Sequence, residues 1–405
     1  MKLILTGASG NIGRQLVPLW LAQGVELLLV GRDADRLQRQ FPDLPVCRYE
    51  DLQDNAPGFD ALINLAAVNS DANASEQEYL DVNVELPQRL ATIASAAGVP
   101  RFVYVSSLHA LDEKAVHPYA ASKRMGRAKL VLQAGRDLEV ITAYLPATYG
   151  ERWTGRWSFM NNLRGMPRRL AITILTALRP AIDIDTLAIM LLDILKADTP
   201  PSDIVVSRGQ RDNTFYQVVR RLVDIAAALV ILLVFWWLLL AIWVAIRFKS
   251  SGPGIFAQRR VGRKGVLFTC YKFRTMHVGT LQAATHEVTG NSVTAIGKVL
   301  RRTKLDELPQ AWNLLTGEMT LVGPRPCLPS QAELIHERSK AGVLELTPGI
   351  TGLAQVNGID MSVPRTLVDY DQRYLKMQSL VLDAKLIVLT ALGKGSGDRV
   401  APPLQ

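Results

Sequence analysis

The sequence is short of cysteine. Its three, Cys47, Cys270 and Cys327, are too widely spaced for a metal-ligand pattern and read as reduced and structural. No internal repeat stands out. No long apolar run follows Lys2, so the N-terminus does not read as a secretory signal, and residues 1 to about 215 are expected to begin in the cytoplasm. Acid is missing between Asp224 and Glu287. Inside that gap, Ile225–Ile246 holds no charge, no proline and no glycine. At about 1.5 Å per residue it would reach ~33 Å as a helix, enough for a hydrocarbon core of roughly 30 Å, so insertion into a membrane is expected.

The same gap leaves a strip of one sign: Arg247, Lys249, Arg259, Arg260, Arg263, Lys264, Lys272 and Arg274. Such a strip suits anionic headgroups, a phosphorylated lipid or a nucleotide diphosphate. No groove-reading element or aromatic platform accompanies it, so nucleic acid is not an expected partner. The chain has 405 residues and a net charge of +9, too long for one ordinary core.

The first part has a strand pattern at Lys2–Thr6, the turn GASGNIG from Gly7 to Gly13, and then a helix pattern. Strand, glycine turn and helix are the context of a dinucleotide site. Gly7 permits the tight turn, Gly10 lets backbone amides approach a pyrophosphate, and Gly13 allows close helix–strand packing. Asn11 and Ile12 lie in the same turn. After the second strand, Glu26–Val30, come Gly31, Arg32 and Asp33. Arg32 can meet a 2′-phosphate, favouring NADP, while Asp33 leaves NAD open.

Further on, Tyr119 and Lys123 stand four apart on one helical face, and Ser107 ends the preceding strand pattern, Arg101–Val105. An ammonium beside the phenol would favour phenolate and let Tyr119 exchange a proton near neutrality. A serine hydroxyl can hold a substrate oxygen.

TGASGNIG, NLAA at 64–67, VSS at 105–107, YAASK at 119–123 and LPATYG at 145–150 together resemble the extended short-chain dehydrogenase/reductases of the nucleotide-sugar epimerase/dehydratase type. The resemblance implies a Rossmann-type parallel sheet, Tyr119 as acid/base, Ser107 as its partner, and Lys123 binding the nicotinamide ribose. Asn83 would help position the site and contact substrate. Leu145 stands where that family usually has arginine, and the part beyond Gly150 is short, so the sugar-nucleotide lobe is reduced. IDIDTLA at 182–188 matches a late strand-to-helix segment. Reduction or epimerisation at a sugar C4 is favoured over 4,6-dehydration, because Asp112 and Glu113 are not directly beside Ser107. A nonreactive nucleotide-binding or assembly module is the alternative.

In the second part, Asp306 and Glu307 follow the basic run Arg301, Arg302 and Lys304. A carboxylate can attack phosphorus and a second can hold Mg2+, although an acidic pair at a helix start also serves as a cap. The strings FKSSGPGIFAQRRVGRKGVLFTCYKFRTM, LRRTKLDELPQAWNLLTGEMTLVGPRP and TPGITGLAQVNG resemble the bacterial sugar transferases, monotopic phosphoglycosyl transferases that start glycan assembly on polyprenol phosphate. The resemblance implies transfer of a phospho-sugar from a UDP-sugar to undecaprenyl phosphate with release of UMP. Asp306 would be the covalent nucleophile, with Glu307 supporting Mg2+ and acid/base work. Lys272, Arg274 and Arg325 would contact phosphates, and Gly323, Pro324 and Pro326 would fix Arg325 in a rigid turn.

The expected architecture is α/β: a dinucleotide-binding domain over 1–215, a re-entrant membrane helix region over 216–250, a mainly helical catalytic part over 251–392 and a loose tail over 393–405. Both substrates of such a protein are cytoplasmic, so a helix that enters and returns suits the inner membrane better than a crossing. That family breaks the helix with a central proline. None stands here, so a bend must be held by packing or side-chain hydrogen bonds. Self-association into a homo-oligomer is left open by the residues.

Overall fold

A computed structural model describes residues 1–133, 137–150, 153, 155–249, 252–280 and 292–395. Of the tail expected over 393–405, residues 396–405 lie outside the described residues. The chain divides into two compact units, one of residues 1–171 and 180–208, the other of residues 172–179 and 209 onward.

The strands of the first unit are β1 (Lys2–Thr6), β2 (Glu26–Gly31), β3 (Val46–Arg48), β4 (Ala61–Asn64), β5 (Arg101–Ser107), β6 (Glu139–Leu145), β7 (Ala147–Tyr149), β8 (Ala181–Asp183) and β9 (Asp203–Val205). Seven form one sheet in the order β3-β2-β1-β4-β5-β6-β9, with every pairing parallel. Strand order reverses between β1 and β4, and in open parallel sheets the crevice at such a reversal takes the ligand. β7 and β8 pair separately.

Alternation along the strands feeds two apolar layers. Leu3, Leu5, Leu29, Ile63 and Val103 pack with Leu16 and Trp20 of the helix Asn11–Ala22 and with Leu187 and Leu191 of the helix Ile184–Lys196. On the opposite face Ile4, Leu28, Leu62, Phe102 and Tyr104 pack with Leu90, Ala94 and Leu130. Both faces are covered, which is why these strands read as apolar runs instead of alternating polar and apolar.

The second unit is mainly helical. Its strands are β10 (Ile255–Val261) antiparallel to β11 (Leu267–Phe273), and β12 (Thr320–Val322) parallel to β13 (Gly349–Thr351). Among the described residues no single helix is long and apolar enough to cross a membrane, but Thr214–Val234 and Trp236–Lys249 form a pair bent by 64°. The bend needs no proline. Val230–Val234 is a π-turn, which inserts a residue into the helical ladder, and Phe235 leaves helical dihedrals at φ −102° and ψ 17°.

The first arm of this pair is fastened by charge. Asp224 is buried, its Oδ2 accepting from Thr320 Oγ1 at 2.8 Å and its Oδ1 from Leu321 N at 2.8 Å. Arg220 donates to Thr320 Oγ1 at 3.1 Å and to the Val322 carbonyl. Arg221 donates to the carbonyls of Leu314 and Leu315 at 2.6 and 2.7 Å, which end a short helix with its negative dipole outward. Beyond Asp224, the outward side chains Leu233, Val234, Phe235, Trp236, Trp237, Leu240 and Trp243 are exposed.

Candidate functional site

The glycine turn of the first unit is built as its sequence context requires. Gly7 has φ +73°, and a Cβ there would stand 2.7 Å from Ala66 N. A Cβ on Gly13 would stand 2.5 Å from Gly7 O. Neither close approach survives a side chain. The helix Asn11–Ala22 starts at Gly10 with no side-chain cap hydrogen bond, which leaves its first amides to a bound anion. Asn11 is exposed at its first position, and Ile12 packs against the core. Thr6 Oγ1 donates to Asn64 Oδ1 at 2.6 Å and accepts from Ala66 N at 3.3 Å, so it ties the end of β1 to the end of β4 beneath the turn. Arg32 is exposed at the end of β2. Asp33 caps the helix Ala34–Gln40, accepting from Arg36 N at 2.9 Å.

Ser107 closes β5, and Tyr119 and Lys123 lie on the helix Pro118–Gln133. The three come together. Burial raises the Tyr119 phenol, and the nearby Ser107 hydroxyl pulls it partly back. Ser107 Oγ itself is buried without a partner at good hydrogen-bonding geometry. Lys123 departs from expectation. It is 2% exposed, donates from Nζ to Val105 O at 2.9 Å and lies 4.9 Å over the Tyr104 ring. Burial lowers its pKa to about 7. In this structure desolvation is the largest influence on both groups, raising the Tyr119 phenol and lowering the Lys123 ammonium.

Asn83, expected to help position the site and contact substrate, is fully buried. Its Oδ1 accepts from Val68 N at 3.0 Å, and its Nδ2 donates to Ser122 Oγ at 3.0 Å and to Val68 O at 3.2 Å. It ties the segment after β4 to the helix that carries Tyr119. The fit is close, since a Cβ on Gly126 of that helix would lie 2.4 Å from Asn83 O. Gly126 carried no signal in the sequence beyond its place after the Tyr–Lys pair.

In the second unit, Asp306 and Glu307 lie in a 3₁₀ turn, Leu305–Gln310, entered through Lys304 at φ +58°. A left-handed residue ends the helix Ala295–Thr303 and turns the two carboxylates away from its axis. Glu307 Oε1 accepts from Lys272 Nζ and from Arg325 Nη2, each at 3.0 Å, with all three side chains 20% exposed or less. Burial raises the Glu307 pKa, but Lys272 and Arg325 outweigh it and bring the group to about 2. Burial, then the Glu307 charge, raises Asp306 to about 6 against Lys272, Arg301 and Arg325. Neighbours in sequence are thus pushed in opposite directions by their surroundings, Glu307 down by its two cations and Asp306 up by burial and the Glu307 charge.

Lys272 and Arg325 were expected at phosphates, and the structure pairs both with Glu307. A small pocket beside them is lined by Arg260, Lys272, Arg325, Gln310, Cys270 and Met319, among others. Arg274 is not brought to this pair. Its side chain lies at Gly252, whose carbonyl accepts from Arg247 Nη1 at 2.8 Å. Among the described residues no group of three or more His, Cys, Asp or Glu gathers as a metal site. Two adjacent carboxylates do fit Mg2+, which commonly takes one or two carboxylates and completes its shell with waters and substrate phosphates.

Sequence reasoning missed what stands behind Arg325. Arg338 donates from Nη1 to Arg325 O at 2.8 Å, and from Nε and Nη2 to Asp371 Oδ2 at 3.0 and 2.7 Å. Arg260 donates to Pro326 O at 3.0 Å. On the helix Leu380–Ala391, Asp383 accepts from Tyr216 and Tyr374 at 2.7 and 2.8 Å, while Val381 and Val388 face outward.

The family described as NAD dependent epimerase/dehydratase matches residues 3–206, and the family described as bacterial sugar transferase matches residues 215–394. A UDP-glucose:undecaprenyl-phosphate glucose-1-phosphate transferase of Xanthomonas campestris pv. campestris is 42% identical over 195 residues, covering 45% of this chain and 40% of that protein. The exopolysaccharide production protein ExoY of Rhizobium meliloti is 34% identical over 200 residues, covering 44% of this chain and 88% of that protein. The chain spans about two fifths of the length of the Xanthomonas relative. Among solved structures, MoeE5 in complex with UDP-glucuronic acid and NAD is 22% identical, with a TM-score of 0.41 over 52% of this chain and 77% of that one. ExoY is covered over 88% of its length, the sugar transferase family matches residues 215–394 and the first family spans half of the chain, so the protein belongs to both: an epimerase/dehydratase-family domain fused to a bacterial sugar transferase.

Proposed function

We propose that the second unit transfers a phospho-sugar from a UDP-sugar to undecaprenyl phosphate, and that the first unit reduces or epimerises that UDP-sugar at C4. The observation that carries the transferase reading is the adjacent carboxylate pair, with Glu307 Oε1 held by Lys272 and Arg325 at 3.0 Å each and Asp306 beside it pushed up to about 6 by burial and the Glu307 charge. Asp306 Oδ attacks the sugar-bound phosphorus of the UDP-sugar. The bond from that phosphorus to the bridging oxygen breaks, and UMP leaves with the electron pair. A phosphate oxygen of undecaprenyl phosphate then attacks the same phosphorus and displaces Asp306. Lys272 and Arg325 offset the charge that builds on the diphosphate. Mg2+, held by Asp306 and Glu307, would supply further charge neutralisation when bound.

In the first unit NAD(H) or NADP(H) would lie across the glycine turn. The neutral phenol of Tyr119 suits reduction, in which a 4-keto oxygen takes a proton from Tyr119 as hydride reaches carbon. Ser107 would hold that oxygen. The substrate that fits this pairing of activities is a UDP-4-keto-6-deoxy-N-acetylhexosamine. Arg32, exposed and with Asp33 spent on a helix cap, favours a 2′-phosphate. The family description favours NAD, so binding of both dinucleotides decides the preference. The bent helix pair would enter and leave the cytoplasmic face of the inner membrane and place Asp306 where a soluble nucleotide and a lipid phosphate meet.

The test is a panel of UDP-sugars with NADH or NADPH and undecaprenyl phosphate, read by mass spectrometry. UMP release and a lipid-linked phospho-sugar are expected. Asp306→Asn should reduce both by at least about 10³-fold, and Tyr119→Phe should stop consumption of reduced dinucleotide while leaving transfer of a finished sugar intact. Full turnover of Asp306→Asn would remove the covalent route. A chain that binds neither dinucleotide would have a first unit that serves only for assembly.

A further inference from the structure

Four consecutive carbonyls of the loop from Gly323 to Leu328 are held from outside it. Pro324 and Pro326 carry no amide hydrogen, so two of the six residues in this segment offer no backbone donor. Beside the bond from Gly323 N to Thr351 O at 2.7 Å, it is fixed through its acceptors. Pro324 O accepts from Gly349 N at 2.9 Å and Cys327 O from Val261 N at 2.9 Å. Between them, Arg325 O accepts from Arg338 Nη1 at 2.8 Å and Pro326 O from Arg260 Nη1 at 3.0 Å.

Arg338 is not a surface cation that happens to reach a carbonyl. Its side chain is 3% exposed and that of its partner Asp371 is 4% exposed. Two guanidinium nitrogens are committed to Asp371 Oδ2 at 3.0 and 2.7 Å, which fixes the plane of the fork and aims the third at Arg325 O. The side chain of the same Arg325 is the group that donates to Glu307 Oε1. Arg338 thereby joins a buried ion pair to the backbone of the residue whose side chain pairs with the site carboxylate.

The geometry points to Arg338, aimed by Asp371, as a positioning residue for phospho-sugar transfer that acts through Arg325. It sets the backbone from which the Arg325 guanidinium reaches Glu307, and it touches neither carboxylate of the pair. The inference rests on the transferase reading of Asp306 and Glu307.

The test uses the full chain with its lipid acceptor and follows UMP release for Arg338→Met and Arg338→Lys, each alone and combined with Arg325→Ala. Arg338→Met should lower kcat by about 10–100-fold, and Arg338→Lys should recover part of that loss by restoring a cation opposite Asp371. In the Arg325→Ala background the same changes should cost less than about 2-fold, because the group through which Arg338 acts is gone. Equal losses in both backgrounds would mean a general structural role and would overturn the assignment. If Arg338→Met does not fold, Arg338→Lys carries the comparison.

A second arm needs no turnover. Hydrogen exchange at the amides of Gly349 and Val261, which donate to the loop carbonyls Pro324 O and Cys327 O, should quicken in the Arg338 variants, with the rest of the β10–β11 hairpin unchanged. Unaltered exchange at both amides would also overturn the proposal. A wild-type chain that released no UMP would end the transferase reading, and the exchange result would still decide whether Arg338 positions the loop.

Discussion

Lys123 is where residue chemistry and sequence pattern part company. The Tyr–Lys spacing is correctly read as one helical face, but the electrostatic sense of the pair is set by burial, which spacing does not report. An unfolded lysine ionises near 10.4 on ordinary values, whereas Lys123 ionises near 7 in the fold. Between those values the unfolded chain binds a proton that the folded chain refuses, so stability of the first unit should rise with pH from about 7 to about 10 and stay level below 7. Lys123→Met, close in length and apolar, should flatten that slope in thermal unfolding followed across the same range. An unchanged slope would mean that the lysine is hydrated in the fold. In the second unit, Asp306 and Glu307 were legible because their surrounding strings are distinctive. Arg338 and Asp371 were not, because they stand 33 positions apart and their meaning arises only where two helices meet. Lys272 and Arg325 were legible as cations of the site but not as partners of Glu307, since no sequence pattern states which charge a flexible side chain will choose.

At the scale of elements, the parallel sheet was largely legible. Short apolar runs ended by glycine or serine turns, alternating with helical patterns, leave few arrangements open. The bend in the membrane segment was less so. A π-turn has no breaker residue to announce it, and Val230–Val234 is uniformly apolar. Its anchor lies six residues earlier, at Asp224, whose two oxygens accept from Thr320 Oγ1 and Leu321 N at 2.8 Å each. Removing that carboxylate leaves a hydroxyl proton and a backbone amide without their acceptor in a buried place and takes one of two counter-charges from Arg220. Asp224→Ala should therefore destabilise the second unit by about 3 kcal/mol, measured by denaturant unfolding in detergent. Thr320→Val removes only one of the acceptor's partners and should cost about 1 kcal/mol. Equal effects of the two substitutions would mean that Asp224 holds the helix through Thr320 alone.

At the scale of the whole molecule, the proposed topology follows from what each unit consumes. A nicotinamide cofactor and a UDP-sugar are both cytoplasmic, so a chain that used both would need its two units on one side of the bilayer. The 64° bend is compatible with a segment that enters and returns, and basic residues flank the apolar run at both ends, with Arg220 and Arg221 before it and Arg247 and Lys249 after it. A crossing segment would be expected to place its basic excess on one side only. The burial of all three native cysteines makes this directly measurable. Ser202→Cys and Val266→Cys put single exposed thiols before and after the apolar run, while Cys47, Cys270 and Cys327 stay shielded from reagent. In sealed inverted vesicles a membrane-impermeant maleimide should label both introduced thiols, and in right-side-out vesicles neither. Labelling of the two from opposite sides would make the segment a true crossing. It would also separate the dinucleotide unit from the transferase site by a bilayer, and with it remove the reason for reading the two activities as consecutive steps on one sugar.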